Sequence, residues 1–337
     1  MLRHVGRNWL RMRRALAHGD YFLLRGGHIS ALAWAWLTMA RVPYAREVVG
    51  HEGEAVAMMA NVQMLGLGRW LARLSEWLGR RESLGACAVN YVARFLNGHY
   101  PARPEVPVYF FSDVQLDNGA MTGPRLAESF SSSELRMVSI GRMNPEKGYA
   151  VLLDALHELD SGGLRAWTLD VMGPGPELER LRQRAADYKQ ADRVRFHGMV
   201  RRGPEFFALL DRSDLFVLPS LGGEGMPRAA LEAMARGLPA VSTRLGGMSD
   251  LLDDDCLVAP GDRSGLARLI RDRVGQPRRL AEESRRRFET VRHYRPDEMR
   301  RQKHEFWQHL CDCTDRWRRR TGRDYAAKGR SAAVAQT

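Results

Sequence analysis

The stretch from Asp214 to Gly247, DLFVLPSLGGEGMPRAALEAMARGLPAVSTRLGG, limits what this chain can fold into more than any other. It opens on Leu215-Phe216-Val217-Leu218, an unbroken apolar run that is too short for a helix and lacks the alternation of a strand with one wet face. Such a run predicts a strand buried on both faces of a parallel sheet. A glycine-rich turn follows. Pro227 then stands where the first residue of a helix favours proline, Ala229 to Ala235 are strong helix formers, and Gly237 is placed to end the helix. A second apolar run begins at Ala240. Strand, loop, helix and strand in this order predict an α/β sheet with helices packed on its faces.

Two carboxylates lie inside this unit, Glu224 in the loop and Glu232 in the helix, with seven residues between them. The loop ends on a helix N-terminus, whose free amides and positive dipole end attract phosphate. A carboxylate beside a phosphate is electrostatically unfavourable unless it serves another group. Ionised glutamate only accepts hydrogen bonds and can hold a vicinal diol, so the pattern suits a phosphorylated ligand that also offers hydroxyls. The segment EGMPRAALE resembles the signature of the family 4 glycosyltransferases, and the resemblance runs from about Asp20 to Leu310. It implies the GT-B fold of two Rossmann-like domains, a nucleoside diphosphate-sugar donor, a hydroxyl acceptor, and transfer with retention of anomeric configuration.

The turns of the C-terminal half carry the rest of the expected site. Gly141 closes its first strand, Gly173-Pro174-Gly175 the second, Gly198 the third, and Gly222-Gly223-Glu224-Gly225 the fourth. Turns that all follow strands converge on one sheet edge, which is a stronger signal than any single glycine. Arg142 and Lys147 sit five residues apart in the first turn, and two cations there can neutralise a diphosphate as it departs. The arginine would do so through a forked contact and the lysine as a point charge. GRMNPEKG resembles the family motif GRxxxxKG, which implies the diphosphate role for both. Glu224, with the amides around Gly225 and Met226, is expected on the sugar ring, and Glu232 on the ribose diol. Gly141, Gly173 and Val200 are expected beside the base and ribose, while His197 is expected to be structural. PYAREVVGH resembles the family strand whose last residue, here His51, reaches the donor sugar or its phosphate; a packing role is equally open to it.

No cofactor is expected, because the nucleotide sugar is a substrate. Asp253-Asp254-Asp255 invites a metal reading, but no phosphate-binding turn stands beside the triplet. Arg142 and Lys147 already supply the charge a metal would, so no metal site is expected. Ser/His/Asp and Cys/His sets have no local support.

At 337 residues the chain exceeds one ordinary domain. The expected division is an abbreviated N-terminal Rossmann-like domain over 1–125, a linker over 126–135 and a nucleotide-sugar-binding doubly wound parallel sheet over 136–293. A helix over 294–320, which in the family crosses back, and a disordered tail over 321–337 complete it. The resemblance implies further strands and a glycine-rich turn ahead of Tyr21 that do not precede it here. A non-catalytic nucleotide-sugar-binding or scaffolding subunit is therefore the alternative expectation.

Lys plus Arg exceed Asp plus Glu by 52 to 40, a net charge of +12 that favours acidic partners. Nucleic acid is set aside, since the arginines are scattered through helices without an aromatic-basic platform. Met1 to His18 spaces Leu2, Val5, Trp9, Met12 and Leu16 as one face of a basic amphipathic helix. That helix could lie on an anionic membrane or pack on a sheet. Together these features point to a lipid-linked acceptor at the inner face of a membrane. With the family resemblance, which implies transfer to a glycan or lipid-linked acceptor, the expectation is a role in bacterial polysaccharide or glycolipid synthesis. No segment has the apolar length of a membrane span or the core of a signal peptide, and four cysteines make no disulfide framework. A cytoplasmic protein, peripheral at the inner membrane face, is the expectation.

Overall fold

The computed structural model describes residues 21–57, 68–112, 114, 116, 118–130, 133–222 and 224–322. The helix expected at Met1 to His18 and the tail beyond Gly322 lie outside them. The chain divides into two compact units, one formed by the chain up to Phe111 and from Arg300 onward, the other by Ser112–Met299.

The first unit holds β1 (Leu23–Leu24), α1 (His28–Ala40), β2 (Ala45–Val48), α2 (Glu52–Ala57), α3 (Gly68–Gly85), β3 (Ala88–Tyr91), α4 (Phe95–His99) and β4 (Val108–Tyr109). Its four strands pair in the order β1-β2-β3-β4, all parallel. α3 is a single described helix, and residues 58–67 ahead of it lie outside the described residues. Of α12 (Pro296–Thr321), the part from Arg300 on belongs to this unit. There Phe306 packs edge-on against Tyr109 and Phe111, and Gln302 Oε1 accepts from the Phe110 amide at 3.0 Å, which satisfies a donor just past the edge strand.

The second unit is a six-stranded parallel sheet in the order β10-β9-β8-β5-β6-β7. Its strands are β5 (Leu135–Ile140), β6 (Trp167–Met172), β7 (Val194–Gly198), β8 (Leu215–Leu218), β9 (Ala240–Thr243) and β10 (Leu257–Val258). Its helices are α5 (Tyr149–Ser161), α6 (Leu178–Asp187), α7 (Pro204–Arg212), α8 (Arg228–Ala235), α9 (Met248–Leu251), α10 (Arg263–Arg271) and α11 (Pro277–Val291). All four residues of β8 are buried, as an apolar run without alternation requires. Two separate cores cover the sheet: one includes Leu152, Trp167 and Leu266, the other Phe216, Leu231 and Met234. The fold is thus α/β with two parallel sheets, the second doubly wound.

The division falls at Phe111/Ser112, ahead of the linker expected over 126–135. Val114 and Leu116 are buried in the second unit's core. The Arg125 guanidinium donates to the carbonyls of Arg236, Ser213 and Leu210, and the Arg125 amide donates to Ser284 Oγ. Val114, Leu116 and Arg125 fall within the N-terminal domain expected over 1–125; isolated anchors with no periodicity between them give no local signal of the unit they join. Pro227 also departs from expectation: with ψ 108 it is extended and precedes α8 as its cap residue, while its carbonyl accepts from Ala230 and Leu231.

One buried ion pair gives the first unit a pH response. Arg46, fully buried, meets both Glu52 and Glu82, the latter at 2.5 Å. Two carboxylates share one guanidinium. Burial pushes Glu82 up to about 7 against the pull of Arg46, and the charge of Glu52 adds to the rise. Between about 4.5 and about 7 the folded protein therefore binds more protons at Glu82 than the unfolded chain does, so this contribution to stability is lost as pH rises through that window. Melting temperatures measured across it should fall more steeply for the wild type than for Glu82→Gln, which removes the titration and keeps the shape.

Candidate functional site

In the second sheet β5 is followed by β6 on one side, while β8 lies on its other side. The winding reverses between β5 and β8, and in open α/β sheets ligands bind beyond the carboxyl ends of strands at such a switch. The loop after β5 carries Gly141 to Gly148, and the loop after β8 runs from Pro219 to Pro227.

These two loops meet backbone to backbone. The Leu221 amide donates to the Glu146 carbonyl at 2.7 Å. Gly148, at φ 69, lies so close to the other loop that a methyl group there would stand 2.0 Å from the Pro219 carbonyl oxygen. Only glycine combines that left-handed conformation with that approach. The contact carries the neighbouring side chain across the gap: Lys147 Nζ lies 2.5 Å from Glu224 Oε1, between residues 77 positions apart. Ser220 Oγ donates to the same oxygen at 2.5 Å. The Glu224 side chain is 7% exposed and that of Lys147 19%. Breaking a pair so enclosed strands a charge, at a cost of about 3–5 kcal/mol.

The turn after β5 is further organised by charge. Burial would raise the carboxyl of Glu146, but the Asn144 amide at 2.9 Å, its own backbone and the charges of Lys147 and Arg142 bring it below the usual range. The Arg142 side chain is exposed and makes no hydrogen bond or ion pair with another described residue; its carbonyl accepts from the Asn144 amide at 2.9 Å. Tyr149 donates its hydroxyl to the Gly141 carbonyl at 3.0 Å, and burial pushes that hydroxyl well up, so it stays a neutral donor. The turns after β5, β6 and β7 are knit in the same way. The Gly141 amide donates to Met172, the Met143 amide to Pro174 and the Gly173 amide to Gly198, at 2.9, 2.8 and 2.6 Å. Gly173, at φ 138, is pressed against the Gly141 carbonyl, which a methyl group would reach at 2.0 Å.

Glu232 projects from α8, 5% exposed, with its Oε1 3.1 Å from Arg202 Nε. Val200 and Met226 are half-buried against the core that contains Leu231. The Gly225 carbonyl accepts from the Gly247 amide at 2.7 Å, which ties the loop after β8 to that after β9. His197 holds Asp170 at 2.6 Å, a structural pairing. Thus Gly141, Arg142, Lys147, Gly173, Val200, Glu224, Gly225, Met226 and Glu232 all lie in the second unit. Sequence reasoning missed Ser220 and Arg202. Ser220 stands two residues past the end of β8, where a hydroxyl at a carboxyl end is a usable signal; nothing local marks Arg202.

His51 belongs to the first unit, directly after β2. Its Nε2 is 3.2 Å from Glu76 Oε1, the Glu54 amide donates to its Nδ1 at 3.4 Å, and its ring is 4.7 Å from that of His99. In the triplet of aspartates each carboxylate meets an arginine: Asp253 meets Arg286 and Arg287, Asp254 meets Arg244, and Asp255 meets Arg279 at 3.9 Å.

Residues 134–274 match the family model described as Glycosyl transferases group 1. The chain is 35% identical over 147 residues to the putative colanic acid biosynthesis glycosyltransferase WcaL of Escherichia coli (strain K12), covering 41% of this chain and 36% of that protein. It is 27% identical over 276 residues to glycogen synthase of Mycobacterium tuberculosis (strain ATCC 25618 / H37Rv), covering 80% of this chain and 62% of the other. The first curated relatives it matches are spanned over only about a third of their length. Among solved structures, Anabaena Alr3699/HepE in complex with UDP and glucose superposes with a TM-score of 0.63 at 19% identity, covering 89% of this chain and 80% of that one. That likeness is one of fold, and the fold is that of the GT-B glycosyltransferases.

Gly148→Ala tests the loop contact. Strain at the left-handed position alone costs about 1–3 kcal/mol, before any cost of the clash with Pro219. Urea denaturation should show at least that loss.

Proposed function

We propose that this chain is a glycosyltransferase that moves a sugar from a nucleoside diphosphate-sugar to a hydroxyl of a glycan or lipid-linked acceptor, with retention and without a metal. The observation that carries the reading is the pairing of Lys147 with Glu224 at the switch point of the second sheet. It is supported by the family match over residues 134–274 and by relatives named as glycosyltransferases of colanic acid, amylovoran and lipopolysaccharide core biosynthesis.

The chemistry follows from which partner each charge can exchange. A diphosphate offers Lys147 an acceptor of higher charge than a carboxylate, and a sugar hydroxyl offers Glu224 a donor in place of the ammonium. The Arg142 guanidinium, exposed in the same turn, is free to fork onto the diphosphate. Both cations stabilise the charge that grows on the departing phosphate oxygen, and that oxygen accepts the proton of the incoming hydroxyl. No dedicated side-chain base is required. Glu232, held by Arg202, takes the ribose diol. Gly141, Gly173 and Val200 border the base and ribose. The backbone at Gly225 and Met226 holds the sugar.

No cofactor takes part. Among the described residues no helix is long and apolar enough to cross a membrane. The net charge of +12 supports a cytoplasmic protein held peripherally on an anionic membrane face.

Arg142→Ala and Lys147→Ala are each expected to lower kcat by about a hundredfold or more, in line with the loss of one preorganised group facing developing charge. Release of nucleoside diphosphate reads the effect, and unchanged turnover in both variants defeats the proposal. Donor binding by calorimetry with no turnover in the wild type would favour a non-catalytic donor-binding subunit. Treatment with EDTA should leave turnover undiminished; a clear loss would overturn the metal-independent reading.

A further inference from the structure

The first unit gathers three metal-ligating side chains from separate elements: His51 after β2, Glu76 on α3 and His99 at the end of α4. One ligand atom from each lies within 4.8 Å of the other two. His51 Nε2 and Glu76 Oε1 are already 3.2 Å apart. Around an ion bound at about 2.0–2.2 Å in a tetrahedron, ligand atoms stand about 3.3–3.5 Å from one another. One edge of that figure is therefore formed, and small side-chain rotations complete the others.

The surrounding chain is built to bring these groups together. Gly53 on α2 has no side chain, and a methyl group there would lie 2.9 Å from Glu76 Cγ and 3.2 Å from the Ala72 carbonyl oxygen. Its absence lets the stem of Glu76 cross α2 toward His51. Arg80 Nε donates to the His99 carbonyl at 3.0 Å, which fixes the end of α4 to α3. Tyr100 accepts from the Glu52 amide at 2.9 Å, and its ring lies against that of His51.

Charge distinguishes this cluster from the other candidate, Asp255, Cys256 and Glu283. There Arg273 donates to both oxygens of Glu283 at 2.9 and 2.8 Å and to Cys256 Sγ at 3.2 Å, so a guanidinium already supplies the cation. Glu76 has no lysine or arginine ion-paired to it among the described residues; its partner there is an imidazole.

We infer that His51, Glu76 and His99 form a binding site for a divalent transition metal of the zinc class. Two imidazoles and one carboxylate suit zinc, cobalt(II) or nickel(II) rather than the hard cations magnesium and calcium, and three protein ligands leave a fourth position for water. Binding through Nε2 of His51 moves its ring proton to Nδ1 and gives up the long contact from the Glu54 amide, a small loss against a metal bond. All three ligands belong to the first unit, and the diphosphate groups proposed above to the second.

The test uses the full chain, freed of metal with a chelator and dialysed, then titrated with zinc by calorimetry and with cobalt(II) by visible absorption. One ion should bind per chain. Glu76→Gln, which keeps the shape of the side chain, and His99→Ala should each weaken binding by at least about tenfold, while circular dichroism shows both still folded. Cys87→Ser, which removes a thiol of the same unit from contention, should leave the affinity unchanged. Absence of binding overturns the inference. So does undiminished affinity in the Glu76 and His99 variants, or loss of binding in the cysteine variant.

Discussion

The hydrogen bond from the Leu221 amide to the Glu146 carbonyl, with Gly148 laid against Pro219, is the contact on which the second unit's site depends. At a switch point the two flanking loops lead to helices on opposite faces and have no reason of their own to stay together. A bond between their backbones holds them, and it forms only because Gly148 has no side chain to separate them. Once it is made, a lysine and a glutamate 77 positions apart fall within ion-pair distance. Their pairing is a consequence of the backbone contact, which brings the two side chains within reach across an enclosed gap.

A second regularity follows from the low dielectric of these loop bases. Each carboxylate at the sheet edge is held by a donor or a cation: Glu224 by Lys147 and Ser220, Glu232 by Arg202, Glu146 by Asn144. A ligand entering such a site exchanges partners with groups that are already desolvated, and it need not pay for their burial anew. The first unit solves the same problem differently, with one guanidinium for Glu52 and Glu82 and imidazole for Glu76.

The family match and the fold likeness differ in reach. The former covers residues 134–274, within the second unit, while the likeness to HepE covers 89% of the chain. The motifs Gly141 to Gly148 and Glu224 to Glu232 both fall inside the matched segment. The fold likeness, and the 276-residue match to glycogen synthase that covers 80% of the chain, extend into the first unit as well.

Much of this architecture was legible in local pattern. Apolar runs marked β8 and the start of β9, and the glycine turns marked strand ends along one sheet edge. Both signals depend on neighbours in the chain: side-chain period, helix start and stop, and backbone freedom at a turn. The sequence by itself thus determined the α/β class and the sheet edge at which the glycine turns lie. Tertiary structure alone decided the strand order that makes β5 and β8 neighbours, and the pairing of Glu224 with Ser220 and of Glu232 with Arg202. It also decided that Val114, Leu116 and Arg125, expected in the N-terminal domain, anchor to the second unit, and that Glu76 and His99 lie beside His51. Each of these joins residues far apart in the chain, and no local periodicity encodes a partner that only the closing of loops and the packing of sheet and helices brings near.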